Sequence, residues 1–472
     1  MQFLRPKIKT QSLSHLINLL LISSSVCIVF LLVSLFLVSS SRTSDLFFSS
    51  SHDVYAPASL EHIVFGIASN KNSWPKRKEY VKLWWRPEKM RGCVFLESLP
   101  SDTDSKSNDN SSLPPLCISE DTSRFRYTYR GGQRSAIRVA RVVVETVALN
   151  HSDVQWYVFG DDDTVFFPDN LVKTLSKYDP GLWYYIGSNS EDHEQNRIFS
   201  FQMAFGGAGF AISASLANVL AKVFDSCIER YPHLYGSDSR IYSCLAELGV
   251  SLTLEPGFHQ FDVRGNLFGL LASHPTAPLV SVHHLYHMGP IFPNLTTVKA
   301  LEHLFEAANV DPGRILQQTI CYDRWFSWTI SVSWGYAVQV FGRHIHLPDI
   351  LPVQETFQQW KKRNSPPDYT FNTRELHPDP CQRPTIFFLD NVTSGRDGIR
   401  TSYRKSFVNC SHDMASPRKL EEIRVLSHKL DLHLTELQAP RRHCCDVLPS
   451  SAGQIMDIAI RECKEEELIH MH

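Results

Sequence analysis

The chain has 472 residues, 43% hydrophobic and 20% charged, the balance of a globular protein with one large or two medium domains. A formal net charge of -2 and an isoelectric point near 6.9 leave no basic surplus of the kind that draws proteins to nucleic-acid phosphates. Nucleic acid is therefore not an expected partner.

Leu16 to Val38 runs without one charge, and as a helix it spans roughly 34 Å, enough to cross a bilayer. Arg5, Lys7 and Lys9 precede it while Arg42 and Asp45 balance beyond it, so the positive-inside rule predicts a type II signal anchor. A cleaved signal peptide is the rival, but the apolar run exceeds the usual h-region. Either way the remainder is expected in the secretory lumen, in keeping with N-x-S/T sequons at Asn110, Asn150, Asn294, Asn391 and Asn409. Cys27 lies within the apolar run, leaving Cys93, Cys117, Cys227, Cys244, Cys321, Cys381, Cys410, Cys444, Cys445 and Cys463, an even set compatible with disulfides of undetermined connectivity. No C-x-x-C pair supports zinc or thioredoxin-type chemistry.

Residues 39–51 are Ser-rich and read as a stem. His62 to Ser69 reads as a buried strand, Arg77 to Trp85 as helix, and 101–115 as a polar surface insertion. Gln133 to Leu149 places Ile137, Ala140, Val144 and Val147 at helical spacing. The strand Trp156 to Phe159 then runs into Asp161, Asp162 and Asp163. Further on come helix 171–176, strand 183–188, helices 216–231 and 239–248, and strands 252–254 and 279–284. Alternation of this kind predicts an α/β fold with a mainly parallel central sheet, whose ligands bind at the carboxyl ends of strands. After Pro293 a helix over 298–307 is followed by an aromatic, β-like stretch, Cys321 to Phe341. The tail reads as a separate or appended disulfide-containing C-terminal extension.

Three adjacent carboxylates repel one another and call for a cation or hydrogen-bond donors. Hard divalent cations want such oxygen ligands and leave positions open for substrate phosphates; a helix cap with solvated neighbours is the structural alternative. Gly206-Gly207-Ala208-Gly209 taken alone is a turn, Asp238 before a helix is most simply an N-cap, and His283 and His284 at a strand end are most simply ordinary strand residues.

Taken in order, WYVFGDDD, FGGAGFAIS, YGSDS and VSVHH resemble the Fringe-like glycosyltransferases, closest to the Fringe-related proteins of plants. The resemblance covers roughly residues 61 to 294. It implies a nucleotide-sugar-binding, GT-A-like fold and an inverting transfer from a UDP-sugar to a hydroxyl of a glycan or glycoprotein, with Mn²⁺ and a β-1,3-type linkage. It also implies roles: Asp161, Asp163 and His283 on the metal, with His284 the alternative ligand; Asp162, Arg77, Gly206, Gly207, Ala208 and Gly209 on the donor; Asp238 as general base. Here Ser237 stands where the family has a further acid. The expected organisation is a cytoplasmic tail (1–15), membrane anchor (16–38), lumenal stem (39–60), transferase domain (61–295) and C-terminal extension (296–472), in the Golgi membrane with the catalytic part lumenal. Two other classes remain: a lumenal carbohydrate-binding or scaffolding protein that kept the fold without turnover, and a Ca²⁺-stabilised protein, which would use a longer acidic loop.

Overall fold

The structure is a computed structural model and describes residues 10–45, 58–100, 112–361, 366–411, 415–449 and 453–471. Outside these lie most of the 101–115 insertion, the stem beyond residue 45, the first nine residues and Asn110. The chain divides into two units, Met1–Ala56 and Pro57–His472. In the first, α1 (Thr10–Asp45) runs past both ends of the expected span. Its Ile17–Ser34 window has mean hydropathy 2.4 and none of it is buried, so the helix is long and apolar enough to cross a membrane.

The second unit begins as strand, helix, strand: β1 (Ile63–Ala68), α2 (Trp74–Lys82), β2 (Arg91–Leu96), β3 (Leu116–Ile118), α3 (Ser135–Ala148), β4 (Trp156–Asp161), β5 (Val165–Phe166) and α4 (Pro168–Leu175). It continues with β6 (Tyr185–Gly187), α5 (His193–Ile198), β7 (Phe210–Ser213), α6 (Ala214–Ile228), α7 (Ser237–Glu247) and β8 (Leu252–Leu254). Seven of these strands form one sheet in the order β3-β2-β1-β4-β7-β6-β8. Four pairings are parallel and the two made by β7 are antiparallel, so the sheet is mainly parallel, as expected. Side chains of a strand alternate between faces, and β1 shows why both must be covered. Val64 packs with Ile137, Ala140 and Leu216 of α3 and α6 on one face. Ile63, Phe65 and Ile67 pack with Trp84 and Phe166 on the other. Phe65, Trp84 and Phe166 meet edge-on or tilted at ring separations of 5.1 to 5.9 Å, geometry that favours aromatic contacts beyond their buried area.

A second, three-stranded sheet, β5-β11-β9, is completed by β9 (Phe258–Gln260) and β11 (Ser281–His283). Between these two strands lie β10 (Val263–Gly265) and α8 (Phe268–Ala272), and α9 (Thr297–Val310) follows.

The β-like stretch 321–341 resolves into three strands, β12 (Gln318–Asp323), β13 (Trp328–Ser333) and β14 (Ala337–Phe341). Short strands β15 (Val353–Gln354), β16 (Phe357–Gln359) and β17 (Thr373–Arg374) follow, then β18 (Thr385–Gly395), β19 (Gly398–Lys405), β20 (Glu422–Ser427), β21 (Cys444–Leu448) and β22 (Ile455–Arg461). The large C-terminal sheet orders them β12-β13-β14-β18-β19-β20-β22-β21. Trp328 and Trp334 are buried in its core, whereas Trp325 is 90% exposed. Five disulfides use all ten cysteines outside α1: Cys93–Cys117, Cys227–Cys244, Cys321–Cys445, Cys381–Cys410 and Cys444–Cys463.

The two large sheets share one hydrophobic cluster that runs from Ile63 to Ile460. Buried hydrogen bonds tie the C-terminal sheet to α8 and to the loop before α9: Ser333 Oγ donates to the Leu271 carbonyl (2.8 Å) and Tyr336 Oη to the Ile291 carbonyl (3.0 Å).

Candidate metal centre

β4 ends on Asp161 at the carboxyl rim of the sheet, and a tight turn, with Thr164 N–H donating to the Asp161 carbonyl at 3.1 Å, presents Asp162 and Asp163. Both are 2% exposed, so their charges must be met inside the protein. Asp162 accepts from Ser69 Oγ (2.7 Å), from Ser73 Oγ, and from Arg77 at 3.0 Å. Arg77, from α2, also donates to Asp163 Oδ1 (3.2 Å) and lies 4.3 Å from the Tyr286 ring centre. Burial disfavours the Arg77 charge, but Asp163 and Asp162 outweigh it and raise its pKa.

Asp163 has a second neighbour, His283 at the end of β11, with Nε2 3.3 Å from Oδ1 and 3.9 Å from Asp161 Oδ2. The other ring nitrogen decides the tautomer. Gln260 Nε2 donates to Asp262 Oδ1 (3.1 Å), which turns its Oε1 to accept from His283 Nδ1 (3.1 Å). With Nδ1 donating, a neutral His283 points the Nε2 lone pair at the two aspartates. Asp262 is itself buried and held by Ser190 Oγ at 2.7 Å.

Burial first, and then Asp163, Asp238 and Asp162, push the Asp161 carboxyl up to about 7, against the pull of His283. Burial also opposes the charge on Asp163, yet His283 and Arg77 hold it down to about 2. His283 is lifted above its ordinary value because Asp163, Asp161 and Asp262 outweigh its burial. Asp163 Oδ2 is buried with no hydrogen-bond partner, a state that costs free energy unless something unseen binds there. One ligand atom from each of Asp161, Asp163 and His283 lies within 4.8 Å of the others. An O, O, N set with a buried orphan oxygen fits a hard or borderline divalent cation.

Residues 206–209, three glycines and Ala208, pack against His283 and Asp238. Gly206–Ala208 is a 3-10 turn leading into β7, tied to the acidic turn by Thr164 Oγ1, which donates to the Gly207 carbonyl (2.7 Å) and accepts from Asp161 N–H. A Cβ on Gly207 would sit 2.1 Å from His283 Cε1, and one on Gly206 2.6 Å from Asp238 Oδ1. These two residues are therefore glycine because the ring and the carboxylate occupy the space of a side chain.

Asp238 is not the cap of α7; Gly236 is. Its carboxylate instead accepts from Gly206 N–H and from Ser237 Oγ at 3.0 Å. Burial raises its pKa, partly offset by those two donors and by His283. His284 diverges from the cluster. It adopts φ 68°, sends Nδ1 to Asp262 Oδ1 (3.0 Å) and stacks on Trp360 with ring centres 4.9 Å apart.

The structure thus brings Asp161, Asp163, His283, Arg77, Asp162, Gly206, Gly207 and Asp238 to one place and turns His284 toward Asp262. Sequence reasoning missed Gln260, Asp262 and Thr164. The first two sit in the HQFD run at the end of β9, where polar residues follow a buried phenylalanine; only their pairing with β11 reveals why.

Residues 195–445, more than half of the chain, match a family described as protein of unknown function, DUF604. The chain belongs to the DUF604 family. The DUF604 match includes Gly206 to Gly209, Asp238 and His283, begins after the acidic triplet and continues into the C-terminal sheet. No curated protein matches this DUF604 chain. Among solved structures it is similar to a chain titled mannosyltransferase PcManGT from Pyrobaculum calidifontis in complex with GDP-Man and Mn2+, with 14% identity over 47% of this chain and a TM-score of 0.27. The similarity spans 63% of that chain, less than two thirds of its length, and at that TM-score it bears on neither fold nor activity.

Proposed function

We propose that this protein is an inverting glycosyltransferase that moves a sugar from a UDP-sugar to a hydroxyl of a glycan or glycoprotein, in a β-1,3-type linkage and with Mn²⁺. In this reading it works in the Golgi lumen, with α1 as a type II anchor and residues 61–295 as the transferase portion. The observation that carries the reading is the Asp161–Asp163–His283 group with its orphan buried Asp163 oxygen, facing Asp238 across the Gly206–Gly207 turn. The order of the motifs along the chain supports it.

A divalent cation held by Asp161, Asp163 and His283 would offset the negative charge of a departing diphosphate. Arg77 keeps Asp162 and Asp163 in place and adds positive charge beside them. Asp238 takes the proton of the acceptor hydroxyl at a carboxylate oxygen while the acceptor oxygen bonds to the anomeric carbon. The bond from that carbon to the diphosphate breaks, its electrons leaving with the phosphate. Burial, which raises the pKa of Asp238, brings a carboxylate base nearer to working pH. Ser237, where the family has an acid, donates to Asp238 and so keeps the base oriented.

The test is UDP release by the full chain in detergent, from a panel of UDP-sugars, with Mn²⁺ or with chelator. Asp163→Ala is expected to abolish metal-dependent release. Asp238→Asn is expected to lower turnover about 100-fold or more while UDP binding persists. A wild-type protein with no metal-dependent UDP binding overturns the proposal; UDP binding without turnover on any acceptor, unaffected by Asp238→Asn, favours the binding protein.

A further inference from the structure

Away from the metal centre, a cavity of about 930 Å³ opens between residues 188–201, β9, the segment after α8 and the C-terminal stretches 348–353 and 369–372. That volume lies within the range of small-molecule pockets. Ser188 and Asn189 follow β6, which runs in the same direction as β4, so the cavity starts on the rim of the sheet that carries Asp161. β9 serves both places: Gln260 faces His283, and its neighbour His259 lines the cavity.

Three titratable groups form a chain in the cavity wall. Glu191 Oε1 lies 2.7 Å from His259 Nδ1, His259 Nε2 lies 2.9 Å from His274 Nε2, and His274 Nδ1 lies 2.8 Å from the Pro275 carbonyl. A carbonyl only accepts, so His274 donates from Nδ1, and in its neutral form it accepts at Nε2 from His259 Nε2. Burial, which lowers the pKa of His274 well below its usual value, agrees with that neutral form. The second oxygen of Glu191 stays available as an acceptor.

The rest of the lining decides what fits. Phe201, Phe261, Tyr369 and Phe371 supply apolar rings, and no lysine or arginine lines the cavity among the described residues. A phosphate or nucleotide would meet no lysine or arginine there and would face Glu191. A lipid tail would leave polar lining atoms unpaired. Ser273 Oγ and Tyr369 Oη are buried with no hydrogen-bond partner, and Asn189 and Asn372 add amides. Rings beside scattered uncharged hydrogen-bonding groups match a ligand with C–H faces and several hydroxyls.

We propose that this cavity seats a neutral sugar ring of the acceptor, its C–H face on Phe371 and its hydroxyls toward Glu191 and Ser273. This rests on the transferase reading for the word acceptor, not for the sugar. It gives the C-terminal residues 369–372 a direct part in substrate choice.

The experiment is saturation-transfer NMR on the full chain in detergent micelles, with the methyl β-glycosides of glucose, galactose and xylose, without nucleotide or metal. Transfer to the ring protons of at least one glycoside is expected, weakened roughly 2- to 10-fold in Phe371→Ala and in Glu191→Gln. Metal-dependent UDP binding retained in both variants controls for folding. No transfer from any of the three glycosides overturns the proposal, as does transfer unchanged in both variants. Sugar binding by a wild-type chain that binds no UDP overturns only the acceptor assignment, through the transferase reading.

Discussion

Gly207→Ala is the sharpest perturbation available, because one methyl group acts on one ligand. The added Cβ would lie 2.1 Å from His283 Cε1, 2.3 Å from Nδ1 and 2.7 Å from Nε2, where ordinary contact begins at 3.4 Å. The ring is held from behind by Gln260, so relieving the clash means moving it on the order of 1 Å and giving up that hydrogen bond, a displacement that costs about 100-fold in a positioned catalytic group. Overpacking itself should cost about 1–3 kcal/mol of stability. Gly206→Ala is the matched control, since its Cβ presses on Asp238 Oδ1 at 2.6 Å instead. Calorimetric Mn²⁺ titration, beside thermal unfolding to show that both variants fold, is the assay. Gly207→Ala is expected to lose metal affinity by about 10- to 100-fold, and Gly206→Ala to keep metal affinity but lose turnover. A folded Gly207→Ala chain that binds Mn²⁺ as tightly as wild type would refute the assignment of His283 as a ligand.

Gln260→Leu removes the acceptor that sets the His283 tautomer and should weaken Mn²⁺ binding about 10- to 100-fold with the fold intact, read by the same titration. The Arg86–Asp169 pair, bonded at 2.8 and 2.7 Å, lowers the Asp169 pKa chiefly through that hydrogen bond. Its stabilisation is present above the unfolded value near 3.9 and is lost as pH falls through the lower folded value. Because both side chains are partly exposed, Asp169→Asn should cost only about 0.5–1 kcal/mol at pH 7 and nothing once the carboxylate is protonated in both states, measured by thermal unfolding across pH. Cys321–Cys445 closes a loop with a sequence separation of 124, so replacing both with alanine should cost about 2–5 kcal/mol, seen as a lower melting temperature.

The α/β half was legible because its elements are long and periodic. α3 repeats its apolar residues at helical spacing, and β4 is a continuous apolar run that stops at an acid. The candidate metal centre was legible in part for the same reason: a buried strand ends on three consecutive carboxylates, Asp161 to Asp163. Gln260, Asp262 and Thr164 were not, since each acts through a partner brought near by folding: His283 and Ser190 for the first two, Gly207 for the third. β9 has three residues, too short for any period to show. Cysteine pairing was likewise closed to sequence reasoning, because Cys444 and Cys445 are neighbours that bond to residues on opposite sides of them in the chain.

That three-residue strand also bears on how the gene can change. His259 and Gln260 are read on opposite faces, one by Glu191 and His274 and the other by His283 and Asp262. Inserting a single codon between Pro256 and Phe258 would exchange the faces of every residue in the strand, handing His283 an imidazole in place of an amide and Glu191 a phenyl ring in place of its partner, while a deletion there would hand His283 the ring of Phe261. Point substitutions in the neighbouring loops touch one site at a time; a change of length here disables both at once, so segment length in this stretch should tolerate less variation than residue identity.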